Sequence, residues 1–182
     1  MKALINIVIY QVIWFLAVGA GNVGALFGAL LLPVHLLISG KRRLDLWMMA
    51  FMLAAGLVID GTLHQIGFYT FTAGGFPIPF WLAVVWLGLA ITPGHSLAWM
   101  RSRPLLCVVF GALGGPAAYW AGVRLGAAEF NWSLPLSLLT VAIIWACLWP
   151  LTMTVSGTIE KRLQSRLQKP EKRGEGIFTG GN

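Results

Sequence analysis

The sequence predicts an all-α membrane protein with six transmembrane helices in one bundle and both termini cytoplasmic. Three observations predict it. Apolar residues make up 58% of the chain and charged residues 10%, against roughly 25% charged in an average soluble domain. Mean hydropathy is +0.78, more than a soluble core can absorb. The basic residues are distributed asymmetrically between the apolar segments, with twelve of the thirteen on one side of an alternating topology.

A spanning helix needs roughly 17 to 25 mostly apolar residues. Six segments qualify: about 3–19, 22–38, 46–68, 78–100, 104–123 and 134–154. Together they form a transmembrane domain over 1–156. The first two are short and joined by Gly19-Ala20-Gly21-Asn22, which predicts a tight helical hairpin. Cleavage of the first as a signal peptide is the competing reading. A single Lys at its start, a late Trp14-Phe15 and the immediate second span favour its retention as helix one. The stretch Tyr69 to Ile78 holds Gly74-Gly75 and a Pro77-Ile78-Pro79 run, a helix stop. Within the fourth span, Pro93-Gly94 should break the helix and expose carbonyls. Pro104 opens the fifth, where its missing N–H does no harm.

Orientation follows from the positive-inside rule. With the N-terminus inside, Lys2, Lys41, Arg42, Arg43, Arg101, Arg103, Lys161, Arg162, Arg166, Lys169, Lys172 and Arg173 are all cytoplasmic. Only Arg124 lies outside. The net charge of +7 is thus a topology signal, with no nucleic-acid partner implied. Residues 157–182 form a basic cytoplasmic tail. Ile159, Leu163 and Leu167 recur every four residues, predicting an amphipathic helix to Pro170 and a disordered end beyond it. Cys107 and Cys147 sit in apolar segments with no CxxC spacing and no His nearby, as small apolar side chains do.

Polar groups inside the spans are few. Asp60 is the one acid well inside, about 21 Å of helix past Leu46. An acid at such depth needs a partner or a proton. His64, at i+4, and Arg124, at the outer end of helix five, are the candidate partners. Arg43 with Asp45, and Glu160 with Lys161, read as interfacial pairs. His35 and His95 each lie about 9 Å of helix inside the nearest basic cluster, so they can share one layer. Ser96 follows His95 directly. No metal site is assigned, because Asp60 lies about 12 Å deeper than the two histidines.

Small residues mark the packing faces. Gly111, Gly114, Gly115, Ala118 and Gly122 on helix five, and Gly24 and Gly28 on helix two, let another backbone approach. The alternative for helix five is a pocket floor for a lipid tail. Of the nine tryptophans, Trp81 and Trp132 fit an outer belt and Trp47 and Trp99 an inner one. Trp86, Trp120 and Trp145 are expected to pack in the bundle.

Several stretches together resemble an uncharacterised bacterial inner-membrane family, the domain of unknown function 2878 family. They are "YQVIWF" (Gln11, Trp14), "PVHLL" (His35), "GLVIDG" (Asp60), "IPFWLAVVWLGLAITPGHSLAW" and "GALGGPAAYWAGVRLGA" (Tyr119, Arg124). The resemblance covers about residues 5 to 155. The family pattern carries Asp60, His95 and Arg124 but not His64, and it has Leu-Asn where this chain has Pro93-Gly94. It supplies no activity or cofactor; it implies only a lipid or envelope context.

The leading functional expectation is a protein of membrane lipid or envelope modification. Asp60 and His95 are its catalytic candidates. Arg124, His35, Ser96 and Tyr119 are its binding candidates. Membrane lipid is the expected partner, with other membrane proteins possible through the small-residue face of helix five. The rivals are a small transporter or proton-linked channel, and a non-catalytic membrane subunit. Substrate, reaction and cofactor stay open.

Overall fold

A computed structural model describes residues 2–168. Its elements are α1 (Lys2–Ile38), α2 (Arg42–Gln65), β1 (Tyr69–Phe71), α3 (Phe80–Ala90), a 3-10 helix (Ala98–Ser102), α4 (Pro104–Arg124), β2 (Ala128–Phe130) and α5 (Leu134–Gln168). Four helices are long and apolar enough to cross a membrane: Ala3–Ile38, Arg42–Gln65, Pro104–Arg124 and Leu134–Arg166. Large apolar side chains stand exposed along them, including Leu26, Leu105, Leu113 and Ile143. In water such a surface would be costly; against lipid tails it is not.

Helix α1 is two arms. Gly21 adopts φ 58° and ψ −142°, a region essentially closed to side-chain-bearing residues. The chain doubles back there. A Cβ on Gly28 would lie 3.5 Å from the Ile13 Cα, whereas a straight helix separates residues fifteen apart by about 22 Å. The hairpin expected from Gly19-Ala20-Gly21-Asn22 is therefore present. Gly24 and Gly28 are spent on closing it, with Gly24 seated against the Leu16 carbonyl.

The six-helix expectation needs correction at the fourth span. Helix α3 has 11 residues, about 16 Å, roughly half a hydrocarbon core. Past Ile91 the chain turns irregularly through Pro93-Gly94 into the 3-10 helix. Proline cannot donate its N–H and crowds the preceding turn, so a continuous helix over 78–100 is blocked.

A two-stranded antiparallel sheet adds a β element to the expected all-α fold. Tyr69, Thr70 and Phe71 face Phe130, Glu129 and Ala128. The sheet ties the α2–α3 connection to the α4–α5 connection. Phe68 is fully buried beneath it, with its ring edge-on to Phe130 and Trp132 at 5.6 and 5.1 Å. Trp47 and Trp99 are exposed as belt residues are, but Trp81 is buried and Trp120 is exposed, the reverse of their expected places.

Packing pairs α4 with α5 and α1 with α3, while α2 bridges to α3 and α5. Glycines mark three of these seams. Gly111 and Gly115 receive Trp145 of α5, Gly56 receives Trp86 of α3, and Gly88 receives Ile13 of α1. Helix α5 runs unbroken to Gln168, and Ile159 and Leu163 pack on the core. The expected disordered end lies outside the described residues.

Gly24→Ala drives a Cβ into the Leu16 carbonyl, while Gly19→Ala meets nothing within 4 Å. Gly24→Ala should therefore lower the detergent-phase melting temperature and Gly19→Ala should not. Equal melting of the two variants would contradict the hairpin.

Candidate functional site

The polar groups gather at two levels of the bundle. At the level of the sheet, Asp60 is fully buried on α2. Its carboxyl group accepts three hydrogen bonds. Tyr69 Oη donates to Oδ1 at 2.9 Å, Tyr119 Oη to Oδ1 at 2.6 Å and Trp86 Nε1 to Oδ2 at 2.7 Å. Tyr69 Oη also lies 3.1 Å from the Asp60 carbonyl oxygen. The donors come from β1, α4 and α3. Burial, reinforced by the neighbouring Asp60, pushes the Tyr69 hydroxyl far above its ordinary range, so it remains a donor.

These donors form part of the wall of a cavity of about 420 Å³. It lies between α1 and α3 on one side and α4 and α5 on the other. Its wall is chiefly apolar and aromatic, with Trp14, Trp81, Trp86, Phe110, Trp145 and Trp149 prominent. Trp86 and Trp145 are stacked at 5.3 Å and 15°. Gly114, Ala118 and Gly122 form a floor of small residues on α4. Asp60 itself stands behind the wall. A shallower groove between α1 and α4 shares Tyr10, Gln11, Trp14 and Ala118 with the cavity, and it borders the exposed Phe15 and Ala117. The cavity thus reaches the outer apolar surface sideways.

At the other level, Asp45 is buried at the start of α2. His95 Nε2 lies 2.8 Å from its Oδ1, and His35 Nε2 lies 3.3 Å from its Oδ2. Ser39 Oγ donates to Oδ2 as well. The two imidazoles meet edge to face, with centroids 5.1 Å apart. Around them the broken segment after α3 is held by side chains. Asn6 Nδ2 donates to the Ile91 carbonyl at 3.0 Å, Arg101 to that of Pro93 at 2.8 Å and Lys41 to that of Gly94 at 3.1 Å. Glu160 of α5 pairs with both Lys41 and Arg101. These bonds satisfy the carbonyls that Pro93-Gly94 frees.

The candidate residues named from sequence divide between the levels. Tyr119 joins Asp60, and His35 joins His95. Ser96 turns away to Asn6, with its Oγ 2.6 Å from Asn6 Oδ1. Arg124 does not reach Asp60. It is exposed at the end of α4, with its guanidinium 6.0 Å from the Trp120 ring centroid. His64 makes no bond to Asp60 either; its ring lies against Phe71 at 5.0 Å. Gly114 does not pack against another helix: a Cβ there would meet only Phe110 of its own helix at 3.9 Å, whereas one on Gly122 would touch Val18 of α1 at 3.9 Å.

Two interfacial pairs are also corrected. Asp45 turns inward to the histidines rather than toward Arg43. Glu160 selects Lys41 and Arg101 rather than Lys161. The signal for Asp45 was available. His35 and Asp45 each lie about one turn inside a helix on either side of a short connection, so a tight α1–α2 hairpin places them together. Tyr69 was hidden in an apparent loop, and Trp86 in an apolar run with no polar neighbour in sequence.

A family model described as "Protein of unknown function (DUF2878)" matches residues 3–151. The chain belongs to this family. No curated protein matches it, and no solved structure does. The family match covers both levels, from Asn6 to Trp149, and stops before Glu160.

Asp60→Asn keeps shape but turns an N–H toward at least one donor. Leaving a buried donor unpaired costs about 1–3 kcal/mol. Tyr119→Phe removes one of three donors and should cost less, about 1 kcal/mol. Detergent-phase unfolding should therefore rank wild type, Tyr119→Phe and Asp60→Asn in falling order of stability.

Proposed function

We propose that this DUF2878 protein is a multi-pass protein of the bacterial inner membrane that holds a lipid-like amphiphile in its lateral cavity, and that it serves membrane lipid or envelope modification in this way. One observation carries the reading. The cavity is apolar, of ligand size, and reaches the lipid-facing surface between α1 and α4, two helices without extensive mutual packing. An acyl chain could enter there without crossing water. Aromatic rings would grip its sides, and the small-residue floor of α4 would admit it close to bare backbone.

Asp60 then acts as a positioning residue. Its oxygens are filled by three donors and it does not line the cavity. What it fixes is the orientation of Trp86, Tyr69 and Tyr119. A proton path from Asp60 to His95 is the weaker reading. The buried face of α2 between Asp60 and Asp45 carries Met48, Met49, Met52 and Gly56, none of which relays protons. For orientation, Lys41, Arg42, Arg43, Arg101 and Arg103 fall at the end opposite the sheet. The positive-inside rule assigns that end, with the start of α1 and the end of α5, to the cytoplasm.

Gly114→Leu is the discriminating variant, because it places a side chain in open cavity space without displacing a packed neighbour. Native mass spectrometry of protein extracted in mild detergent should find a bound lipid on wild type and lose it on Gly114→Leu. A wild type that carries no lipid, or a variant that carries it equally, would sink the reading.

A further inference from the structure

We propose that His35, Asp45 and His95 form a binding site for a divalent transition-metal ion of the zinc class, at the end of the bundle opposite the sheet. This site is separate from the lateral cavity and does not depend on its having a ligand.

Three features carry the assignment. First, one donor atom from each residue lies within 4.8 Å of the others. Metal–ligand bonds near 2.0–2.1 Å put the donors of a tetrahedral site about 3.3–3.4 Å apart. Asp45 Oδ1 lies 2.8 Å from His95 Nε2 and Asp45 Oδ2 lies 3.3 Å from His35 Nε2, so side-chain rotation without backbone movement would bring one oxygen and both nitrogens to ligation distances. Second, the donor set is two imidazoles and one carboxylate, a combination suited to zinc and its first-row neighbours. Both histidines present the same nitrogen, and their rings stand at 90° to each other. Both nitrogens already face the Asp45 carboxylate. Third, the site is rigid before any ion arrives. His35 sits in the last turn of α1 and Asp45 in the first turn of α2. The break that carries His95 is tied by Asn6, Lys41 and Arg101.

Charge and access fit as well. Lys41 and Arg101, which tie the neighbouring carbonyls of Gly94 and Pro93, are both engaged by Glu160, so they do not stand unpaired against a dication. Ser39 donates to Asp45 Oδ2 and would orient the carboxylate from outside the first coordination sphere, as ligand-supporting hydrogen bonds commonly do. His95 keeps 17% of its side chain exposed, whereas Asp45 keeps 1%. An ion would enter past His95. Three protein ligands leave a fourth position on that side for water.

The test uses the full chain, purified in detergent with a tag free of histidine and stripped with a chelator. Cobalt(II) is titrated as the probe, and its visible absorption reports low-symmetry nitrogen and oxygen ligation. Wild type should take up one equivalent, released by added zinc. Asp45→Asn should weaken uptake at least tenfold. His95→Gln should do the same while remaining folded, because its amide can still donate to Asp45. The chain has only three histidines, so His64→Gln serves as the matched control and should bind as wild type does. Absence of saturable cobalt uptake by folded wild type would overturn the proposal. So would equal affinity in wild type and His95→Gln; the cluster would then be a hydrogen-bonded latch between α1, α2 and the broken segment.

Discussion

A carboxyl group sealed from water in an apolar bundle has to be met by donors, because nothing else there can replace its hydration. Asp60 meets that requirement with Tyr69, Trp86 and Tyr119, and much of the upper bundle follows from the three bonds. Each donor comes from a different element. One acceptor on α2 therefore fixes the sheet, the short helix α3 and the cavity face of α4 at once. Gly56 lies one turn below Asp60 on the same face of α2. It leaves room for the Trp86 ring, while Asp60 takes its N–H. Trp86 stacks on Trp145, and Trp145 rests in the hollow left by Gly111 and Gly115. Two glycine hollows and two stacked indoles thus join α2, α3, α5 and α4 in a single layer.

The opposite end is organised by a different constraint. Breaking a helix inside an apolar bundle frees carbonyls, and each must find a donor. Two donors are long side chains reaching in from the bundle end, Lys41 and Arg101, and the third is the buried Asn6 of α1. Basic residues near a bundle end serve orientation in most multi-pass proteins. Here two of them are also structural. Glu160 holds both from α5, so the long last helix is fastened to the break and to the α1–α2 turn together.

Local features of this fold were legible in the sequence, and long-range ones were not. The membrane class follows from composition alone. The hairpin at Gly21 and the break at Pro93-Gly94 are backbone events, set by residues whose conformational limits are intrinsic. The approach of His35 to His95 was readable from equal distances to the basic clusters. The partners of Asp60 were not readable. Tyr69, Trp86 and Tyr119 lie 9, 26 and 59 residues away, and a tyrosine or tryptophan among apolar neighbours looks the same whether its polar atom is used or idle. Arg124 looked the natural partner because opposite charges attract. The bundle instead left the arginine at the surface, where hydration costs nothing, and filled the acid with neutral donors that bring their own apolar surface with them. Asp45 was misread for the converse reason. Proximity to Arg43 in sequence suggested a surface pair, yet helical residues two apart point about 200° away from each other.

The glycine repeat of α4 has a double use that periodicity alone could not separate. Gly111 and Gly115 face Trp145 closely, while a Cβ on Gly114 would meet only Phe110 of its own helix and one on Gly122 only Val18 of α1, each at 3.9 Å. At about 100° per residue, Gly114 lies about 60° from Gly111 and about 100° from Gly115, whereas Gly122 falls between those two. Gly111 and Gly115 draw α5 in, while Gly114, to one side of them, keeps the cavity floor low. A hollow of this kind between apolar walls would ordinarily close by side-chain rotation, because empty volume forfeits dispersion contacts. Two of the rings that line it are those of Trp86 and Trp145. Trp86 cannot swing inward without giving up its bond to Asp60, and Trp145 cannot without leaving both the stack and its glycine hollow. The buried acid therefore holds three residues of the cavity wall from behind, without contributing an atom to the lining.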